Sequence, residues 1–187
     1  MHLDHTDLAD LLPAPDHVTR QSRWIAAPPD AVWNALHEIR LSQLPVTLVL
    51  GAVRFLPVVL AGGGREQVRD RPFLDALPVP LLSSSPSESV VFAGALQAWR
   101  LTGGAEPPKL DAHGLREWSE PGWVKAGMDF RLTPMGHGTE LSSETRVVST
   151  DDATRRRFAR YWVFVQPGST AIRWEVLTAV ELRSRTT

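Results

Sequence analysis

Residues 123–181, WVKAGMDFRLTPMGHGTELSSETRVVSTDDATRRRFARYWVFVQPGSTAIRWEVLTAVE, decide the fold. Val124, Ala126, Met128, Phe130 and Leu132 recur with a period of two, while Lys125, Asp129 and Arg131 take the alternate positions. That alternation predicts a strand with one buried face, and it puts Asp129 and Glu144 on the solvent side. Turn-forming residues follow in Thr133-Pro-Met-Gly-His-Gly138, and Leu141, Ser143, Thr145 and Val147 continue the alternation in a second strand. Ser149-Thr150-Asp151-Asp152 then supplies oxygens to accept from the open amides of a helix start and to suit the positive end of its dipole. Beyond it Phe158, Tyr161, Trp162, Val165, Ile172, Val176 and Val180 form one stripe of an amphipathic helix, in which Pro167-Gly168 predicts a bend. A hairpin followed by a long helix with a buried stripe is an α+β arrangement, a helix held against an antiparallel sheet.

Working outward, His17–Ala26 reads as an edge strand with Val18 and Trp24 inward, and Pro28-Pro29-Asp30-Ala31-Val32-Trp33 opens a helix with proline in its first turn. Val79–Ser83 and Ser89–Trp99 are strand-like, although both parities are nearly equally apolar there, so the pattern alone does not set the register. Thr102–Lys109 has the glycines and prolines of a loop, and His113 falls in loop sequence. Residues 1–15 are acid-rich and bounded by proline, the composition of a loosely held arm, which leaves residues 16–187 as one domain. The apolar stretch Leu44–Ala61 contains Arg54 and two prolines and is short for a bilayer span of about 20 residues, so it predicts a helix packed on several sides rather than an integral membrane segment.

The chain has 187 residues, 43% of them hydrophobic, enough for a substantial core. A formal net charge of -1 gives no global field for nucleic acid or an anionic bilayer. Cysteine is absent, which removes disulfides, thiolate nucleophiles and cysteine-bound metal. The acidic first residues lack the basic and apolar regions of a secretory signal, so the expected location is cytoplasmic. His2, His5, His17, His37, His113 and His137 form no pair at metal-ligand spacing, and none is assigned as catalytic; no cofactor or metal is expected. Gly62-Gly63-Gly64-Arg65 lacks the context and spacing of a phosphate loop. Arg155-Arg156-Arg157 with Arg160 reads as a solvated helix face.

Three features together resemble the SRPBCC superfamily: Arg23-Trp24-Ile25-Ala26-Ala27 leading into Pro28–Trp33, the late Ser143-Glu144-Thr145-Arg146-Val147, and the closing helix with Tyr161-Trp162 and Pro167-Gly168-Ser169. This superfamily includes START lipid-transfer domains, the birch-pollen allergen group and polyketide cyclase/dehydrase-like proteins. The resemblance spans residues 17–182 and is nearest to the bacterial single-domain branch. It implies a β-α-α-β6-α helix-grip fold with a curved antiparallel sheet around the C-terminal helix and a hydrophobic cavity between them. Activity does not follow from such a scaffold.

The expected function is binding of a hydrophobic small molecule or lipid between sheet and helix. Phe92, Leu96, Met128, Phe130, Ser143, Thr145, Tyr161 and Val165 are the candidate lining, with Phe55 and Val59 as a lid. Two alternatives stand beside it. One is an enzyme resembling polyketide cyclases or dehydrases. The other is a cavity-poor interaction module similar to chaperone activators, or a homodimer through residues 44–61.

Overall fold

The computed structural model describes residues 7–51, 70–100 and 105–185. The lid candidates Phe55 and Val59 lie outside them. The strands are β1 (His17–Ile25), β2 (Leu81–Ser85), β3 (Ser89–Leu96), β4 (Val124–Met135) and β5 (Gly138–Ser149). The helices with bounded ends are α1 (Leu8–Leu11), α2 (Pro29–Glu38), α3 (Ala112–Glu117) and α4 (Asp152–Ser184), and residues 45–51 are also helical. The five strands form one antiparallel sheet in the order β1-β5-β4-β3-β2. With α4 laid across β1 and β5, this is the α+β helix-grip arrangement that the hairpin and closing helix predict. Among the described residues four strands follow α2, where the family resemblance implies six.

The β4–β5 hairpin carries the sheet. It is paired from Val124 opposite Ser149 to Met135 opposite Gly138, and the chain reverses at Gly136-His137, with Gly136 at φ 64°. A positive φ at no steric cost is what a two-residue turn asks of its first residue. Its concave face joins the main core, where Phe130, Leu132 and Leu141 meet Val32, Ala35 and Leu36 of α2 and Val176, Leu177 and Val180 of α4. Phe73 packs edge-on against Phe130, with ring centroids 6.1 Å apart. Each large side chain fully withdrawn from water here contributes roughly 1.5–3 kcal/mol.

The parity of β1 is the reverse of the expectation. Val18 and Trp24 are 48% and 41% exposed, while Thr19, Gln21, Arg23 and Ile25 turn inward. The cause is the partner strand: β1 is fixed by β5, with Thr19 opposite Thr145 and Gln21 opposite Ser143, and inward side chains of β5 carry their neighbours with them. A polar inner strip is thereby built where sequence alternation alone favours the apolar residues.

The convex face is not bare either. Where the composition of residues 1–15 predicts a loose arm, Leu8, Leu11 and Leu12 are each 1% exposed and pack with Val91, Ala93, Ala95, Leu115 and Trp123. Asp7 caps α1 by accepting from the Ala9 amide at 2.8 Å and pairs with Arg131 at 2.8 Å. Gly127 makes room for this helix, since a Cβ there would run into the Leu8 side chain. This second layer explains the ambiguous parity of β3, both of whose faces are buried. His113 likewise lies in α3, capped by Asp111, rather than in a loop.

The same cover corrects the expectation that Asp129 and Glu144 face solvent. They stand opposite one another in the β4–β5 ladder and are only 6% and 8% exposed. Glu144 is neutralised by Arg146 and by Arg20 at 3.3 Å, and Arg146 also donates to the Leu12 carbonyl at 3.2 Å. Asp129 accepts the Glu144 amide at 2.9 Å, and burial pushes its carboxyl up to about 6.

Two outcomes follow from the covered convex face. Leu11→Ala should cost about 2–5 kcal/mol in denaturant unfolding, the range for emptying a buried leucine site, whereas a residue in a loose arm would cost close to nothing. Asp129 holds a proton in the folded chain between about pH 4 and 6 that the unfolded chain has released. Its stabilising contribution is therefore complete below about pH 4 and is lost as pH rises through 6. Asp129→Asn keeps the acceptor for the Glu144 amide and should raise stability over the native chain by about 1–3 kcal/mol at pH 7, a gain that vanishes near pH 4. Parallel unfolding curves at both pH values check this, and equal stability at pH 7 would contradict it.

Candidate ligand cleft between the sheet and the C-terminal helix

The helix α4 runs unbroken from Asp152 to Ser184, with Pro167 inside it. Its start is fixed by Asp151, whose side chain accepts from the Thr154 amide at 2.9 Å, the Thr154 hydroxyl at 2.6 Å and the Gly122 amide at 2.7 Å. The Thr154 hydroxyl and these amides hold the Asp151 carboxyl well below the usual carboxylate range. Its far half is anchored in the main core through Val176, Leu177 and Val180, and by a pair between Glu181 and Arg23 of β1.

Between these anchors the helix is less well covered. Phe158 is 2% exposed and packs with Val124 and Val147, flanked by Leu96, Trp99, Ala126, Tyr161 and Trp162. The next fully buried residue along the helix is Arg173. Over the intervening four turns the inward positions Tyr161, Trp162, Val165, Ser169 and Ile172 are only half-buried. Across from them Ala126, Met128, Thr145 and Thr19 are also half-buried, although their parity points them at the helix. The middle of the grip is thus less completely buried than its two ends, which makes it the candidate cleft.

The sequence-predicted lining divides accordingly. Met128 and Thr145 are directly opposed on β4 and β5 and half-buried, with Val165 and Tyr161 half-buried on the inward side of the helix. Phe92, Phe130 and Ser143 are its floor: Phe92 is opposite Met128, Phe130 is opposite Ser143, and all three are buried. Leu96 lies at the Phe158 end, opposite Val124.

The periodic pattern does not name the polar part of this space. Arg173 is 3% exposed and donates to the Thr19 hydroxyl at 2.6 Å and the Ser169 hydroxyl at 2.8 Å. Burial draws its pKa below the ordinary arginine value. The Ser143 hydroxyl and the Gln21 carbonyl oxygen are buried and have no partner among the described residues. His17, the innermost residue at the start of β1, lies 5.5 Å from the Phe158 ring and 5.3 Å from Trp162, and burial lowers its pKa. Arg173 was visible in principle, since it falls four residues after Ser169 and three before Val176 on the apolar stripe.

Elsewhere the structure offers less chemistry. Arg156 and Arg160 are exposed, and Arg155 pairs with Asp16 at 2.8 Å and Asp152 at 2.7 Å, the solvated face that the charge run predicts. Among the described residues no cluster of histidine and carboxylate side chains could hold a metal ion, and no helix is long and apolar enough to cross a membrane. An open groove of roughly 670 Å³ runs along the outer flank of α4, between Val46 and Trp174. Glu175 is among its lining residues and accepts the amides of Val46 at 2.7 Å and Thr47 at 2.8 Å, thereby capping the helix that starts at residue 45. This groove faces solvent and contains none of the predicted lining residues.

No protein-family model and no curated protein matches the sequence. Among solved structures, the chain is similar to protein MLL2253 from Mesorhizobium loti, at 14% identity over 88% of this chain and 97% of that one, with a TM-score of 0.41. It is also similar to CalU16 from Micromonospora echinospora, at 14% identity over 90% and 83% with a TM-score of 0.26, and to Ara h 8.0201, at 10% identity over 91% and 99% with a TM-score of 0.28. Likeness at this level carries no argument about ligand or activity.

Proposed function

We propose that the chain from α1 to α4 acts as one helix-grip domain of the SRPBCC type that binds a hydrophobic small molecule or lipid in the cleft between the sheet and α4, with α1 part of the domain rather than an arm outside residues 16–187. The observation that carries this is the incomplete burial of Met128, Thr145, Tyr161, Val165 and Ile172, inward-facing side chains flanked by fully packed clusters at both ends of the helix. Apolar surface that the fold turns inward yet leaves partly uncovered gains free energy from a guest that removes it from water. Thr145 and the Ser143 hydroxyl add the few polar groups that orient such a guest. Among the described residues no base is paired with a nucleophile along the cleft, which favours binding over cyclase-like turnover.

A second reading is supported by a different observation. Val46, Trp174 and Leu182 are 40%, 60% and 62% exposed and line the outer groove together. An apolar patch of this kind suits a partner chain, as in an interaction module or homodimer.

Native mass spectrometry of gently purified protein, followed by solvent extraction, should release an apolar molecule at up to one per chain. A clean mass together with failure to bind apolar dyes would defeat the binding proposal and favour the interaction module. In the same assay Met128→Trp should fill the cleft and weaken an apolar dye by on the order of tenfold, while costing the fold only about 1 kcal/mol because the position is not tightly packed. Arg156→Glu with Arg160→Glu should leave binding unchanged.

A further inference from the structure

Two arginines bridge the inner face of β1 and α4, Arg23 from the strand and Arg173 from the helix, and the fold treats them differently. Arg23 is given a carboxylate, Glu181, and a second acceptor in the Thr178 hydroxyl at 3.2 Å. Arg173, buried more deeply, is given two neutral hydroxyls, Thr19 and Ser169, and no carboxylate within 4 Å among the described residues. A guanidinium has five N–H donors, and leaving its charge in a desolvated site without an anion is costly. Replacing it with a neutral side chain that joins the same hydroxyls would hold α4 to β1 without that cost. The retained charge therefore needs an explanation beyond cross-linking.

The surroundings supply one. Thr19 and Gln21 are two apart on one strand and so share its inner face, and their ladder partners on β5 are Thr145 and Ser143. Thr19 and Ser169 hold the guanidinium of Arg173, and further along the same inner face Gln21 and Ser143, paired across the ladder, each keep a buried polar atom without a partner among the described residues. On the other side the strip meets Met128, Phe130 and Val176, which are purely apolar. The inner face thus has a cationic, hydroxyl-bearing part and a hydrocarbon part.

We propose that the ligand of this cleft is an apolar acid whose carboxylate binds Arg173, with the Ser143 hydroxyl donating to the same group and the hydrocarbon body lying along Met128 toward Val165. The inference rests on the cleft being a binding site and adds its polarity. A planar guanidinium meets a carboxylate through two parallel N–H···O bonds, and the strength of such a charge-assisted pair rises where water is excluded.

The test uses the full chain stripped of bound lipid, loaded with the neutral dye N-phenyl-1-naphthylamine at pH 7.5. Displacement is compared for dodecanoate against dodecanol and for 2-naphthoate against 2-naphthol, so that chain and ring bodies are both represented. The native protein should prefer the acid of at least one pair by on the order of tenfold or more, Arg173→Gln should abolish that preference while leaving the alcohol unchanged, and Arg173→Lys should keep part of it. Equal displacement by acid and alcohol in the native protein overturns the proposal even if Arg173→Gln does not fold, and so does a preference that survives in Arg173→Gln. In both of those cases the cleft itself still binds apolar guests. Absence of dye binding altogether is the separate outcome that removes the cleft as a site, and the proposal with it.

Discussion

The register of the β4–β5 ladder is the constraint on which the rest of this structure depends. Placing Phe130 opposite Ser143 and Met128 opposite Thr145 settles which residues face α4 and which face α1. A slip by one residue would exchange Phe130 for Asp129 on the concave side and destroy both layers at once. The short turn at Gly136-His137 holds the register from one end, and the interlocked Gly122, Asp151 and Thr154 contacts hold it from the other. The ladder in turn dictates the parity of β1, because an edge strand has only one neighbour to copy.

Much of this was legible because the relevant periods are long. Twelve-residue strands and a helix of 33 residues give alternation and stripe patterns that few other structures would produce. The convex layer was illegible for the opposite reason. Leu8, Leu11 and Leu12 span barely one turn, too short for a period to emerge from acid-rich sequence, and Asp129 and Glu144 carry the composition of a solvent face. Their burial depends on a cover contributed from more than a hundred residues away, which no local pattern records. Gln21 was obscured in the same way, since polarity is read as exposure until a partner strand turns it inward, whereas Arg173 lies on the legible stripe of the helix.

The two faces of the sheet handle buried charge by different means. On the convex side Glu144 lies among Arg20 and Arg146, and Arg131 is paired with Asp7, so the acids that α1 covers are largely compensated, with Asp129 the member that burial renders hard to ionise. On the concave side compensation is complete for Arg23 and lacking for Arg173 among the described residues. A fold that can match charges this closely on one surface leaves the mismatch on the other as a local feature of the cleft rather than a general tolerance of the chain.

The weak point of α4 coincides with that cleft. Pro167 cannot donate to the carbonyl four residues earlier, so one ladder bond is missing at Val163, and Val163 and Phe164 are 68% and 83% exposed. Helical stability in the stretch from Tyr161 to Ile172 therefore comes mainly from its ends, through Phe158 on one side and Val176, Leu177 and Val180 on the other. A segment with a missing hydrogen bond and half-buried inward side chains opens more easily than the packed stretches on either side of it. The looser packing on which the proposed binding rests also lets this segment open more readily than the clusters that hold the helix to the sheet.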